Sequence, residues 1–261
     1  MPIKRRAARL AAGLLVLVIA GMLAAAMHFK KNSDALWQIV SEQCLPGQQR
    51  HGDPAPCQRV DLSQHYAMLK DRNGPLQYLL IPTNRISGIE SPTLLHPGTP
   101  NYFALAWHER SLLAQRHGSP VDDRVLSLAI NARYGRTQNQ LHIHLSCLRP
   151  DVREQLDRLT PPRSGQWQRV TLRSHRYWLR TLTPEALAQQ SAFIRLADEQ
   201  PAARGEMGKY GLALAESGDG RLVLMAIEQN WLLLNRGSAE ELQDHSCQLI
   251  APTKKGGLSR L

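Results

Sequence analysis

Short apolar runs broken by Gly, Pro, Asn and Asp fill residues 33–250, and their period switches between that of a strand and that of a helix. Period-two stretches predict strands over 66–70, 76–83, 125–131, 140–148, 166–172, 176–182, 210–216 and 222–228. Two of the turns between them carry hairpin chemistry, Asp71-Arg72-Asn73-Gly74 and Ser217-Gly218-Asp219-Gly220. Apolar positions three and four apart predict helices over 33–44, 101–117, 150–159 and 184–199, and a last one beginning at Ser238. Ser33 or Asp34 can cap the first, Gly118 ends the second, and Ser238-Ala239-Glu240-Glu241 places a cap and acids where a helix start needs them. Residues 84–100 and 132–139 read as a loop and a polar turn, and Pro161-Pro162 as a break. Antiparallel strands with helices packed on one side predict an α+β domain. No Gly-rich loop follows a strand, so P-loop and Rossmann readings fail.

The N-terminus has a different pattern. Residues 10–27 run for 18 positions without a charge, just enough to cross a bilayer as a helix. Lys4, Arg5, Arg6 and Arg9 precede the run, and Lys30 and Lys31 follow it. The positive-inside bias then leaves residues 1–9 in the cytoplasm and exports the remainder. Ala24-Ala25-Ala26 could serve as a signal-peptidase site, but the run exceeds the usual ~7–15-residue signal core, which favours an uncleaved anchor. The sequence therefore predicts a single-pass membrane protein, with an exported domain over 32–250 and a basic tail over 251–261.

Charge and cysteines agree with export. The net charge of +10 is concentrated at the two ends, and residues 32–250 hold 23 bases against 22 acids. A nucleic-acid binder keeps its basicity on the folded domain, so no nucleic-acid partner is expected. Four cysteines in an exported chain suggest disulfides, with three pairings open. Cys44 and Cys57 bracket a Pro/Gly/Gln-rich loop that a bridge would restrain. Cys147 then pairs with Cys247, partly by elimination and partly because Cys147 faces the core while Cys247 falls on the predicted last helix. No Cys-x-x-Cys occurs, so a zinc ribbon has no support.

The chemistry is concentrated in Gln140-Leu141-His142-Ile143-His144-Leu145-Ser146-Cys147. In a strand the odd positions line the core, and Gln140, His142, His144 and Ser146 form a stripe with neighbours ~6.5–7 Å apart. Two histidines so spaced suit three readings. One can attack phosphorus while the other holds the phosphate, both can bind a metal with a third ligand, or the strand merely faces solvent. Upstream lie Asn131, Arg136, Gln138 and Asn139, and no acid occurs between Asp123 and Asp151. An anion site avoids carboxylates and a metal site recruits them, so phosphate chemistry is favoured.

The strand–turn–strand carrying Asn131, Gly135, Gln138 and His142-Ile143-His144-Leu145 resembles the histidine-triad (HIT) superfamily of nucleotide hydrolases and transferases. The segment Leu79-Leu80-Ile81-Pro82-Thr83-Asn84-Arg85-Ile86 is similar to that superfamily's nucleoside-pocket strand. A closer resemblance is to the bacterial CDP-diacylglycerol pyrophosphatases. It rests on the N-terminal anchor, Asn73-Gly74-Pro75-Leu76-Gln77-Tyr78, Arg136-Thr137-Gln138-Asn139 with its His-x-His, Arg149-Pro150-Asp151-Val152-Arg153, and Ser238-Ala239-Glu240-Glu241 with Asp244-His245 and Cys247, and it spans about 36–250. It implies a HIT-like antiparallel sheet, a bacterial inner-membrane protein whose exported domain is a periplasmic catalytic domain, and cleavage of the membrane lipid CDP-diacylglycerol to CMP and phosphatidate, with no cofactor and no metal. His142 would then be the nucleophile, its distal nitrogen held by a backbone carbonyl, and His144 would bind the phosphoryl oxygen or protonate the leaving group. Asn131, Arg136, Gln138, Asn139 and Gln140 would hold phosphate and nucleotide. His108 and His245, on predicted helices, are read as structural. Gln140 stands where the superfamily has its first triad histidine, and an inactive nucleotide- or lipid-binding module, or an exported metal hydrolase using the pair, are the alternatives.

Overall fold

The computed structural model describes residues 15–19, 22, 33–159 and 165–250. The alternating segments pair into one sheet whose ten strands are β1 (Arg59–Asp61), β2 (Tyr66–Lys70), β3 (Tyr78–Pro82), β4 (Leu126–Ile130), β5 (Ile143–Leu148), β6 (Gln168–Leu172), β7 (His175–Leu182), β8 (Tyr210–Glu216), β9 (Leu222–Glu228) and β10 (Gln243–Asp244). The spatial order is β1-β2-β3-β5-β4-β8-β9-β7-β6, with β10 beside the end of β5, and every pairing is antiparallel.

Both faces of the sheet are covered. On β8 and β9, Leu212, Leu214, Leu222 and Leu224 enter the large core on one face, and Ala213, Ala215, Val223 and Met225 enter a second core on the other. Segments Tyr102–His108 and Ala192–Glu199 cover the first face, where Phe103 meets Phe193 edge-on at 5.3 Å. Helix Pro150–Arg158 covers the second through Val152 and Leu156. A third core joins Val40 and Cys44 to Ala67, Leu69, Leu79 and Ile81 of β2 and β3. It seats the N-terminal helical segment, which runs from Ala35–Gln38 through a π-type turn, Ile39–Cys44, into Leu45–His51.

These observations correct the predicted fold. The expected HIT-like α+β domain, with helices on one side and a transmembrane helix in front, gives way to a mostly antiparallel ten-stranded sheet with short helices on both faces. Strands that are apolar at consecutive positions bury both faces, so each face needs cover. The predicted helix 101–117 breaks at Glu109, whose buried carboxylate accepts from Tyr66 Oη at 2.6 Å and Arg59 at 2.7 Å. The predicted helix 184–199 breaks where Ser191 Oγ caps a fresh start by accepting from Phe193 N. The segment at Ser238 is a short 3-10 turn, Ala239–Leu242, because Asn131 holds Ser238 Oγ and Glu240 N and β10 follows at once. Among the described residues no helix is long and apolar enough to cross a membrane. Most of the predicted 10–27 anchor, residues 1–9 and the 251–261 tail lie outside the described residues.

Disulfides join Cys44 to Cys57 and Cys147 to Cys247, and no described cysteine is free. Cys247 sits in a turn after β10, with φ of 57°, not on a helix. Full pairing fits a periplasmic catalytic domain, where thiols oxidise and stay oxidised.

Candidate active site

His144 lies on β5 opposite Leu79 of β3 and Ala129 of β4, between the second and third cores. The alternation read from sequence holds here, since Ile143, Leu145 and Cys147 all enter the large core on the opposite face. His142 precedes the strand, and its ring meets that of His144 at 4.9 Å, nearly edge-on. Both rings line a cavity of about 380 Å³ shared with Leu36, Asp71, Arg72, Asn131, Gln138 and Glu240.

The hydrogen-bond network assigns the two rings different proton arrangements. His142 Nδ1 lies 2.7 Å from the carbonyl oxygen of Gln140, so Nδ1 carries the proton and donates. That leaves Nε2 with its lone pair. Burial, then the neighbouring His144, push the His142 pKa down to about 4, so the ring is neutral near pH 7. His144 is set by a relay. Gln77 Nε2 donates to Asp71 Oδ2 at 2.7 Å and lies 3.0 Å from His144 Nδ1. A carboxylate only accepts, so the amide must present nitrogen to Asp71; His144 Nδ1 therefore accepts from the same nitrogen. The His144 proton is then on Nε2, which is buried without a hydrogen-bond partner among the described residues, 3.4 Å from Glu240 Oε2. Burial also pushes the His144 pKa down.

Glu240 is the charged anchor of the site. Asn131 Nδ2 donates to its Oε2 at 2.9 Å, and His245 Nε2 lies 3.1 Å from its Oε1. Burial alone would raise its pKa, but His245, His144 and Asn131 together hold it down to about 2. The same contact raises the His245 pKa. His245 is held in turn by the β2–β3 turn. A Cβ at Gly74, whose φ is +65°, would lie 2.2 Å from the His245 carbonyl oxygen.

The structure gathers His142, His144, Asn131, Arg136 and Gln138 around one cavity, and turns two other predicted site residues away. The Arg136 side chain is 5% exposed and clamped by both carboxylate oxygens of Glu90, at 2.7 and 2.5 Å, so its charge is already matched. Gln138 accepts from Leu36 N at 3.1 Å. Asn139 faces Ser33, to which its backbone and side-chain nitrogens both donate. Gln140 is fully buried and pins the segment after β3, donating to the carbonyls of Pro82 and Asn84 and accepting from Ile86 N. Sequence reasoning missed Glu240, Asp71 and Gln77 as site residues and gave His245 no role; each comes from a remote segment. Among the described residues no group of three or more His, Cys, Asp and Glu side chains is arranged to hold a metal ion.

A neutral imidazole with a free nitrogen beside a second that offers N–H suits attack on phosphorus with support for its oxygens. A sequence model of the family described as CDP-diacylglycerol pyrophosphatase matches residues 31–251. The chain belongs to this family. CDP-diacylglycerol pyrophosphatases are hydrolases acting on a pyrophosphate bond, and CDP-diacylglycerol is the substrate that membership implies. The match runs from the N-terminal helical segment that walls the cavity to the turn closed by the second disulfide, so it takes in every side chain of the site described above.

Proposed function

We propose that the protein hydrolyses CDP-diacylglycerol through a nucleotidyl-histidine intermediate on His142. His142 Nε2 attacks the phosphorus attached to cytidine. The new N–P bond replaces the bridging P–O bond, and phosphatidate leaves with that bond's electrons. The Nδ1–H bond to the Gln140 carbonyl keeps the resulting imidazolium oriented, and the field of the Glu240 carboxylate favours that positive charge. His144 Nε2–H donates to a phosphoryl oxygen or to the departing one. Water then attacks the same phosphorus, the N–P bond breaks with its electron pair returning to Nε2, and the proton displaced from water goes to His144 where that ring has protonated phosphatidate and otherwise to solvent, so CMP leaves with both histidines restored.

The observation that carries this reading is the paired assignment of protons, lone pair on His142 and N–H on His144. Asn131 acts through Glu240, and Gln140 acts through the loop it pins and through its carbonyl. Turnover in ¹⁸O-water tests the choice of phosphorus. The label should appear in CMP and not in phosphatidate; label in phosphatidate would mean that the other phosphorus is attacked.

A further inference from the structure

Residues 231–234 read Trp-Leu-Leu-Leu, and all four side chains face solvent, at 55, 95, 63 and 88% exposure. Four consecutive large apolar residues so displayed are unusual on a folded domain and mark a surface with a partner. The tip is rigidly built. Asn230 and Asn235 bridge each other through both backbone bonds, and Asn230 Oδ1 accepts from Leu232 N and Leu233 N. Leu234 N is bonded to the Trp231 carbonyl, and Asn235 Nδ2 ties the base to Glu228. The N–H groups of 232–235 are thus satisfied within the loop, which lowers their cost of leaving water.

What surrounds the tip chooses among partners. Tyr134 is 57% exposed and meets Trp231 at a tilt, with ring centres 5.9 Å apart. Arg133 lies over the Tyr134 ring, and Arg236 follows the tip directly. Arg169 and Arg176 line a cavity of about 450 Å³ beside Leu233. None of these four arginines makes an ion pair among the described residues. An apolar point, a Trp–Tyr collar and unmatched arginines are the layers of an anionic bilayer surface taken in order of depth. The tip is also coupled to the active site. Tyr134 belongs to the turn whose Asn131, Gly135 and Arg136 wall the catalytic cavity, and the chain from Asn235 leads through Gly237, bonded to Ala132 N, to Glu240.

We propose that residues 231–234 insert into the anionic bilayer holding the substrate, with the Trp231–Tyr134 pair and the arginines at headgroup level. This rests on the reading that the substrate is a diacylglycerol lipid. The four native cysteines are all in disulfides, so Leu232→Cys in the full chain gives a single thiol for an environment-sensitive fluorophore, with Leu62→Cys on the β1 edge as control. With vesicles of phosphatidylcholine and phosphatidylglycerol, the probe at 232 should shift to the blue and be quenched by brominated acyl chains. The probe at 62 should do neither, and phosphatidylcholine alone should give a weaker response. The L232D/L234D double variant should turn over detergent-dispersed substrate normally and vesicle-embedded substrate roughly tenfold or more slower, since two leucines that enter the bilayer are replaced by charges. A probe at 232 that stays aqueous on vesicle-bound protein overturns the proposal. So does protection that needs no lipid and follows protein concentration, which would make the tip a contact between two copies. Hydrolysis in detergent reads the proposed reaction separately, so failure of insertion and failure of the substrate reading are distinguishable.

Discussion

Gln77 is fully buried and does not itself line the cavity, and should nevertheless control the reaction, because its amide nitrogen is bonded to His144 Nδ1 behind the cavity wall. Replacing it with Leu keeps the volume and deletes the amide. His144 Nδ1 then loses its donor, and only the Glu240 carboxylate at 3.4 Å is left to favour a proton on Nε2. Losing one donor aimed at a developing oxyanion costs on the order of a hundredfold in kcat, about 2.7 kcal/mol. The folded state should lose roughly 1–3 kcal/mol from the broken buried bonds to Asp71 and His144. Steady-state kinetics on detergent-dispersed substrate, with denaturant melts, measure both. KM should change little, since the substrate is not touched. The decisive comparison is a double-mutant cycle. If Gln77 acts through His144, adding Gln77→Leu to His144→Ala should cost almost nothing further in kcat. Independent, multiplicative losses would refute the relay.

Three further outcomes follow from the same geometry. The acid limb of kcat/KM should fall near pH 4, where buried His142 takes up a proton, and a limb near 6.5 would show the ring to be solvated. Glu240 has its pKa lowered on folding, from the ordinary carboxylate value to about 2, so its contribution is fully present above about pH 4.5 and fades as pH falls toward 2; Glu240→Gln should abolish that acid-range slope, worth at most about 3 kcal/mol, in stability measured against pH. Gln140→His should lower stability by roughly 1–3 kcal/mol in a urea melt, because an imidazole cannot make all three of Gln140's bonds, while the folded fraction keeps its kcat.

Local pattern carried the histidine strand and little of what surrounds it. Period-two alternation placed His142 and His144 together and put Ile143, Leu145 and Cys147 in the core, because strand geometry is fixed by the backbone. The same rule put Gln140 on the histidine stripe, but the strand begins only at Ile143 and the Gln140 side chain turns under the segment after β3. Asp71, Gln77, Glu240 and His245 reach the site through tertiary pairing of β2, β3 and the chain before and after β10, which no local period encodes. The absence of acids near the histidines in sequence therefore said nothing of acids near them in space. Helix lengths were overestimated where one polar residue overrode the apolar spacing, as at Glu109 and Ser191. The ten-stranded arrangement with both faces covered was not legible, since consecutive apolar positions fit a buried strand and a helix segment alike.

The central claim is that His142 becomes covalently bonded to phosphorus. Rapid-quench of a single turnover with CDP-diacylglycerol, radiolabelled at the cytidine-side phosphorus, tests it most directly. The account predicts an alkali-stable, acid-labile adduct that maps to the peptide holding His142, builds up and decays within one turnover, and accumulates in no His142→Ala sample. It further predicts that His144→Ala still forms the adduct, only more slowly. Wild-type turnover at full rate with no label on His142 at any quench time, or a label on His144 instead, would contradict it.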